Sequence, residues 1–177
     1  MTAPRLAIVT ASGLDKDKRA GAVAAALREV EPGTALVMLR DKTLDPTTLL
    51  DHLRALEAVC RAHDAALYAP WDVRGAISSP LSAAKIGDDI GWHFPDRPHS
   101  LPLIAKVRAA EPERRISAST HSATGALAAA AHANIVYLGP IWPTTDKAEG
   151  IGLDALKSAA TQIEGARLFV SIVNCRR

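Results

Sequence analysis

Short apolar runs alternate with helix-length stretches along the whole chain, and that alternation restricts the fold more than any other feature of the sequence. Leu6–Thr10 suits a buried strand. Lys16–Glu31 reads as a helix, because Ala20, Val23, Ala24, Leu27 and Val30 recur at three- and four-residue steps. Pro32 and Gly33 stop it. Ala35–Leu39 is the second strand. Asp45 before Pro46 opens a second helix, a carboxylate cap with proline at the first helical position. Leu49, Leu50, Leu53, Leu56, Val59 and Cys60 give that helix one apolar stripe. Ala65–Ala69 is the third strand, Ile77–Ile86 a short helix, and Asp89–Phe94 a short fourth strand. Leu103–Ala110 is a helix following the proline-rich 95–102. Ile116–Ser119, Ser122–His132, Ile135–Leu138, Leu153–Ile163 and Leu168–Val173 then read strand, helix, strand, helix, strand.

Strands of near-continuous apolar character separated by helices predict a parallel sheet covered by helices. A (β/α) barrel and an open doubly wound sheet both fit. The first strand runs into Thr10-Ala11-Ser12-Gly13 instead of G-x-G-x-x-G, so the dinucleotide fingerprint is missing. The expectation is a barrel whose chemistry sits on the loops after its strands. The length of 177 residues, with no internal repeat or linker, predicts one domain over 1–177.

Composition removes other classes. At 48% hydrophobic and 23% charged, the chain is not disordered. A net charge of +2 gives no ground for a nucleic-acid partner. No apolar run nears the roughly 20 residues that span a bilayer, and Met1 to Gly13 lacks the apolar region and cleavage site of a signal peptide. Two cysteines, Cys60 and Cys175, make neither a disulfide framework nor a zinc site. The expected setting is the cytoplasm, away from membranes and nucleic acids.

Polar residues just after strand ends are the candidates for chemistry. Arg40-Asp41-Lys42 follows strand two, and alternation in extended chain presents Arg40 and Lys42 together, suited to a phosphate or pyrophosphate. A solvated basic loop paired with Asp41 or Asp45 is the plainer reading. Ser119-Thr120-His121-Ser122 follows strand five and opens a helix. It offers backbone N–H groups for an anion and a histidine for proton transfer, or simply a helix cap. Gly139-Pro140-Ile141-Trp142-Pro143-Thr144-Thr145-Asp146-Lys147 follows strand six. Its threonine hydroxyls can bind phosphate, and a loop carrying Lys147 can close over an anionic substrate. Asp72 and Asp96 lie just beyond strands three and four and suit Mg²⁺, which needs only one or two carboxylates. His52, His63, His99 and His132 read as surface or helix-end residues, His93 as a residue near the end of strand four that can face the site, and Cys60 as core. Trp71, Trp92 and Trp142 sit at strand ends and can wall a pocket.

The order Met38-Leu39-Arg40-Asp41-Lys42, then Ser119-Thr120-His121-Ser122, then Gly139 to Lys147, then Gly150-Ile151-Gly152-Leu153 resembles the thiamine phosphate synthase/thiazole tautomerase family. The strand-six loop is the most specific part of the match. The resemblance implies a TIM barrel that joins a pyrimidine methyl pyrophosphate to a thiazole phosphate with Mg²⁺ and releases pyrophosphate. Arg40, Lys42 and Lys147 would bind the leaving pyrophosphate, Ser119 would lie at the reacting pair, Thr144 would hold the thiazole phosphate, and Gly139 would belong to the substrate-binding set. Asp72 and Asp96 would hold the metal. In the tautomerase branch His121 would move the proton. The partners implied are small phosphorylated pyrimidine and thiazole compounds, with homo-oligomers as a further expectation.

The sequence departs from the family pattern at several points. Met38 stands where the family has glutamine, Ala69-Pro70-Trp71-Asp72 replaces I-N-D, and Asp146 replaces a small hydroxyl residue. Ser171 to Arg177 replaces the I-G-G turn of strand seven. Three readings follow: a synthase-type transferase, a tautomerase, and a non-catalytic relative that binds phosphorylated ligands. Seven strands and six helices also predict an incomplete barrel, where a complete one has eight of each in about 250 residues. Loss of the last βα unit, by a frameshift near Ser171, is the expectation, and it would leave apolar strand edges open to association.

Overall fold

The computed structural model describes residues 4–41, 43–71, 89–143 and 149–170. Its elements run β1 (Leu6–Val9), α1 (Lys16–Arg28), β2 (Ala35–Met38), α2 (Pro46–Ala62), β3 (Ala66–Pro70) and β4 (Gly91–Phe94). They continue with α3 (Ser100–Ala110), β5 (Ile116–Thr120), α4 (Ala123–Ala130), β6 (Ile135–Leu138), α5 (Gly152–Gln162) and β7 (Arg167–Val170). The helix expected over Ile77–Ile86 lies outside the described residues. Strand order follows chain order from β1 to β7, the arrangement of an incomplete TIM-type (β/α) barrel.

The chain divides into two compact units, 1–92 and 93–177, with the boundary inside β4. In the first, β1, β2 and β3 pair in parallel, with Leu6 opposite Ala35 and Leu36 opposite Ala66. All four residues of β2 are buried, as a strand covered on both faces requires. Leu49, Leu53, Leu56 and Cys60 of α2 lie in the same core. Asp45 caps α2 as expected, accepting from the Thr47 and Thr48 N–H groups at 2.9 and 3.1 Å, and Asp15 caps α1 by accepting from the Lys18 N–H at 2.8 Å.

In the second unit β5, β6 and β7 pair in parallel, Ser117 opposite Ile135 and Ile135 opposite Arg167. Ala126 and Ala129 of α4 are buried, and such small side chains permit close packing. Asn134 extends the ladder: its Oδ1 accepts from the Ile116 N–H at 2.8 Å and from Arg108 Nη2 at 2.7 Å. The helix expected from Leu103 begins at Ser100. Pro102 sits in its first turn, where backbone N–H groups have no helical acceptor, so the proline breaks no hydrogen bond.

Two expectations about side chains are overturned. His52, read as a surface residue, is only 4% exposed and occupies the inner face of α2. On α1 the buried positions are Arg19, Val23 and Leu27, so an arginine takes a core position where Ala20 was expected. Each has a charge or hydrogen-bonding reason, given below.

Candidate active site

Within the second unit, the ends of β4 and β5 assemble hydroxyl and imidazole groups. Side chains alternate along a strand, so Ser117 and Ser119 share one face of β5. His93 of β4 lies against that face. Hydrogen bonds join its Nδ1 to Ser117 Oγ at 3.0 Å and its Nε2 to Ser119 Oγ at 3.2 Å. The Tyr137 ring meets the His93 ring edge-on at 5.6 Å.

Beyond the end of β5, Ser122 caps α4 by accepting from the Gly125 N–H at 3.0 Å. Its capping role leaves His121 as the turn's chemically distinctive side chain. His121 is exposed, and its Nδ1 rests on the carbonyl oxygen of Gly139. A carbonyl only accepts, so Nδ1 carries the proton and Nε2 is the basic nitrogen of the neutral ring. The Gly139 N–H donates to Thr120 O at 3.2 Å, so both backbone groups of Gly139 are engaged. A cavity of about 440 Å³ opens beside these residues, lined by Asp96, Arg97, Leu101, Ser119 and His121 among others. Asp96, Ser119 and His121, three of the residues singled out from sequence, therefore border one space.

The loop after β6 is closed at its base. Ile151 N–H donates to Pro140 O and Gly152 N–H to Ile141 O, both at 3.0 Å. Gly150 lies so near this segment that a Cβ there would fall 2.4 Å from Ile141 O and 2.6 Å from Trp142. Ile141 is buried while Trp142 is exposed. Thr144 and Lys147 lie outside the described residues. Trp71 and Trp92 meet edge to face at 5.7 Å in the first unit.

In the first unit the loop after β2 is held by buried charge. Arg19, 1% exposed, pairs through Nη2 with Asp41 and donates to Ala11 O at 3.0 Å. Its Nη1 donates to His52 Nδ1. A guanidinium only donates, so His52 must be neutral with its proton on Nε2. Burial and the Arg19 charge both push the His52 pKa down. Asp41 also accepts from Gly13 N–H at 3.1 Å, Thr43 N–H at 2.9 Å and Thr43 Oγ1 at 2.7 Å. Burial raises its carboxyl pKa, but the bonds from Thr43, Arg19 and Gly13 outweigh that and hold it at about 2. Asp41 thus serves Arg19, and Asp45 caps α2. Arg40 is exposed and has no ion-pair partner among the described residues. Lys42 and Asp72 lie outside them.

Mg²⁺ suits the donor set in a limited sense. Among the described residues no three of His, Cys, Asp and Glu gather as a metal cluster. Among the described residues Asp96 is the one carboxylate lining the cavity, which fits a hard cation that takes its other ligands from water and substrate phosphates.

Ser117 and Arg19 join this inventory from the structure, and His93, expected near the site, meets Ser117 and Ser119. Ser117 was readable as the alternation partner of Ser119, and Arg19 as the residue four before Val23 and eight before Leu27 on the buried stripe.

A family model described as thiamine monophosphate synthase matches residues 6–173. A thiamine-phosphate synthase from Streptomyces avermitilis is 31% identical over 134 residues, 72% of this chain. A relative from Geobacter sulfurreducens is 28% identical over 135 residues, 74% of the chain. The chain spans 57% and 59% of the lengths of these two curated relatives. Among solved structures, DHDPS from Cyanidioschyzon merolae aligns over 95% of this chain and 63% of its own, with a TM-score of 0.62 and 16% identity. A mandelate racemase/muconate lactonizing protein from Paracoccus denitrificans aligns over 94% of this chain and 46% of its own, with a TM-score of 0.60 and 14% identity. At such identities these two likenesses speak for the fold alone.

Proposed function

The chain belongs to the thiamine monophosphate synthase family, and on that footing we propose that it joins a pyrimidine methyl pyrophosphate to a thiazole phosphate. The C–O bond between the pyrimidine methylene and the pyrophosphate breaks, and its electron pair leaves on the pyrophosphate oxygen. The thiazole nitrogen lone pair forms the new C–N bond. Negative charge grows on the leaving group as the bond breaks, so cations at that point stabilise the transition state more than the bound substrate. Arg40, Lys42 and Lys147 supply those cations in this reading. Ser119 lies at the reacting pair, Thr144 takes the thiazole phosphate, and Gly139 acts through the imidazole it anchors. Asp96, with Asp72, would hold Mg²⁺, and the bound ion would supply further neutralisation of pyrophosphate charge.

The observation that carries the proposal is the family match through residues 6–173, joined to the gathering of Asp96, Ser119 and His121 around one cavity. The test is an assay with both substrates and Mg²⁺. Formation of thiamine phosphate, abolished or strongly reduced in Lys147→Ala, supports the transferase; no product, or an unchanged rate in the variant, removes it.

One observation favours a second reading, proton transfer on a thiazole carboxylate phosphate. The Gly139 carbonyl fixes His121 in the tautomer whose Nε2 is basic. That reading predicts exchange of solvent deuterium into the thiazole, lost in His121→Ala.

A further inference from the structure

We propose that His93 is a positioning residue for Ser119, with Ser117 holding the imidazole in place. The proposal rests on the reading that Ser119 meets the ligand. Both nitrogens of the His93 ring are spent on one strand face: Nδ1 on Ser117 at 3.0 Å and Nε2 on Ser119 at 3.2 Å. Ser117 is fully buried, whereas Ser119 is half-buried and borders the cavity. The ring thus links a buried hydroxyl to a half-buried one on a residue that borders the cavity. Edge-on contact with Tyr137, itself packed on Phe169 at 5.6 Å, limits rotation of the imidazole about its own axis.

A neutral imidazole has one N–H and one lone pair. The two serines must therefore bond to it with opposite polarity. Whichever nitrogen carries the proton, one hydrogen-bonding position of the Ser119 hydroxyl is fixed on the ring, which gives the group a preferred direction. A freely rotating serine hydroxyl has no such direction. Preorganisation of this kind acts on the barrier, because the hydroxyl need not reorient as charge develops. His93 touches no reacting atom in this scheme and works through Ser119.

Two substitutions separate positioning from packing. Glutamine carries its amide near the place of Nε2, and asparagine near that of Nδ1. In the transferase assay, His93→Asn keeps a partner for Ser117 and loses the one for Ser119. Its kcat falls by about 10- to 100-fold with KM changed little, the size typical of a lost supporting hydrogen bond. His93→Gln recovers about tenfold of that loss, as rescue of the Ser119 bond requires. Equal losses in both variants, or a change confined to KM, overturn the proposal. A second measurement is independent of turnover. In the ¹⁵N spectrum of the histidine side chains, Ser119→Ala shifts the Nε2 signal of His93 and Ser117→Ala the Nδ1 signal. An unmoved Nε2 signal in Ser119→Ala overturns the proposal even if the enzyme is active. Absence of product in wild type removes the transferase reading and leaves this spectroscopic result to decide the His93–Ser119 bond.

Discussion

Arg19 is the residue on which the first unit's loops converge. Its guanidinium meets Asp41, Ala11 and His52, three points drawn from two loops and a helix. Removing one partner of a buried pair leaves an uncompensated charge, so Arg19→Met is expected to destabilise the fold by about 3–5 kcal/mol in chemical denaturation. The same cluster gives stability a pH dependence. The His52 pKa lies below 6.5 in the folded chain, so the unfolded chain takes up the proton first as pH falls. Stability from this group is complete above pH 6.5 and declines below it. Asp41 acts lower: its contribution is present above 3.8 and disappears as pH falls toward about 2. Denaturation midpoints measured between pH 5 and 7 check the first window, and His52→Gln is expected to flatten it. Spacing carries the buried stripe of α1 back to Arg19, but nothing local marks a charge there as tolerable. A histidine among leucines on α2 likewise looks like an ordinary surface position until Arg19 is seen to satisfy it. Periodicity locates an inward position, whereas the cross-helix partner that permits a charge there is non-local information.

At the scale of elements, the strand ends were legible because apolar runs of four or five residues bounded by Gly, Pro and Asp have few other uses. Ile135–Leu138 begins and ends as expected. The start of α3 was misplaced because Pro102 looked like a barrier, although the first helical turn tolerates proline. Gly150 shows a further limit. It was visible as part of a G-x-G pattern, but its reason, the approach of Ile141 and Trp142 backbone, is a three-dimensional one. Gly150→Ala forces that backbone apart and is expected to cost about 1–3 kcal/mol in denaturation. It should also lower activity, since the displaced segment leads into Thr144 and Lys147. Asn134→Ala removes the acceptor of the Ile116 N–H, with an expected loss of about 1–3 kcal/mol. Full stability in either variant would contradict the closure or the extended ladder described above.

At the scale of the molecule, two compact units carry separate parts of the chemistry. The first presents Arg40 on a loop stiffened by buried charge, and the second gathers His93, Ser119, His121 and Asp96. The exposed outer residues of β1 and β7, Leu6, Val9 and Val170, contrast with the wholly buried β2. The alternation of strands and helices conveyed the architecture directly, because each βα unit is a local pattern repeated in chain order. The site was only half legible, since post-strand loops identify themselves by position but hydrogen-bond partners on neighbouring strands do not. The most direct measurement of the central claim is formation of thiamine phosphate from the pyrimidine pyrophosphate and the thiazole phosphate with Mg²⁺, by wild type and Lys147→Ala in parallel. The account predicts product from wild type and a rate lower by about 100-fold or more in the variant, as for loss of a group that stabilises transition-state charge. No product from wild type, or equal rates from both proteins, would contradict it.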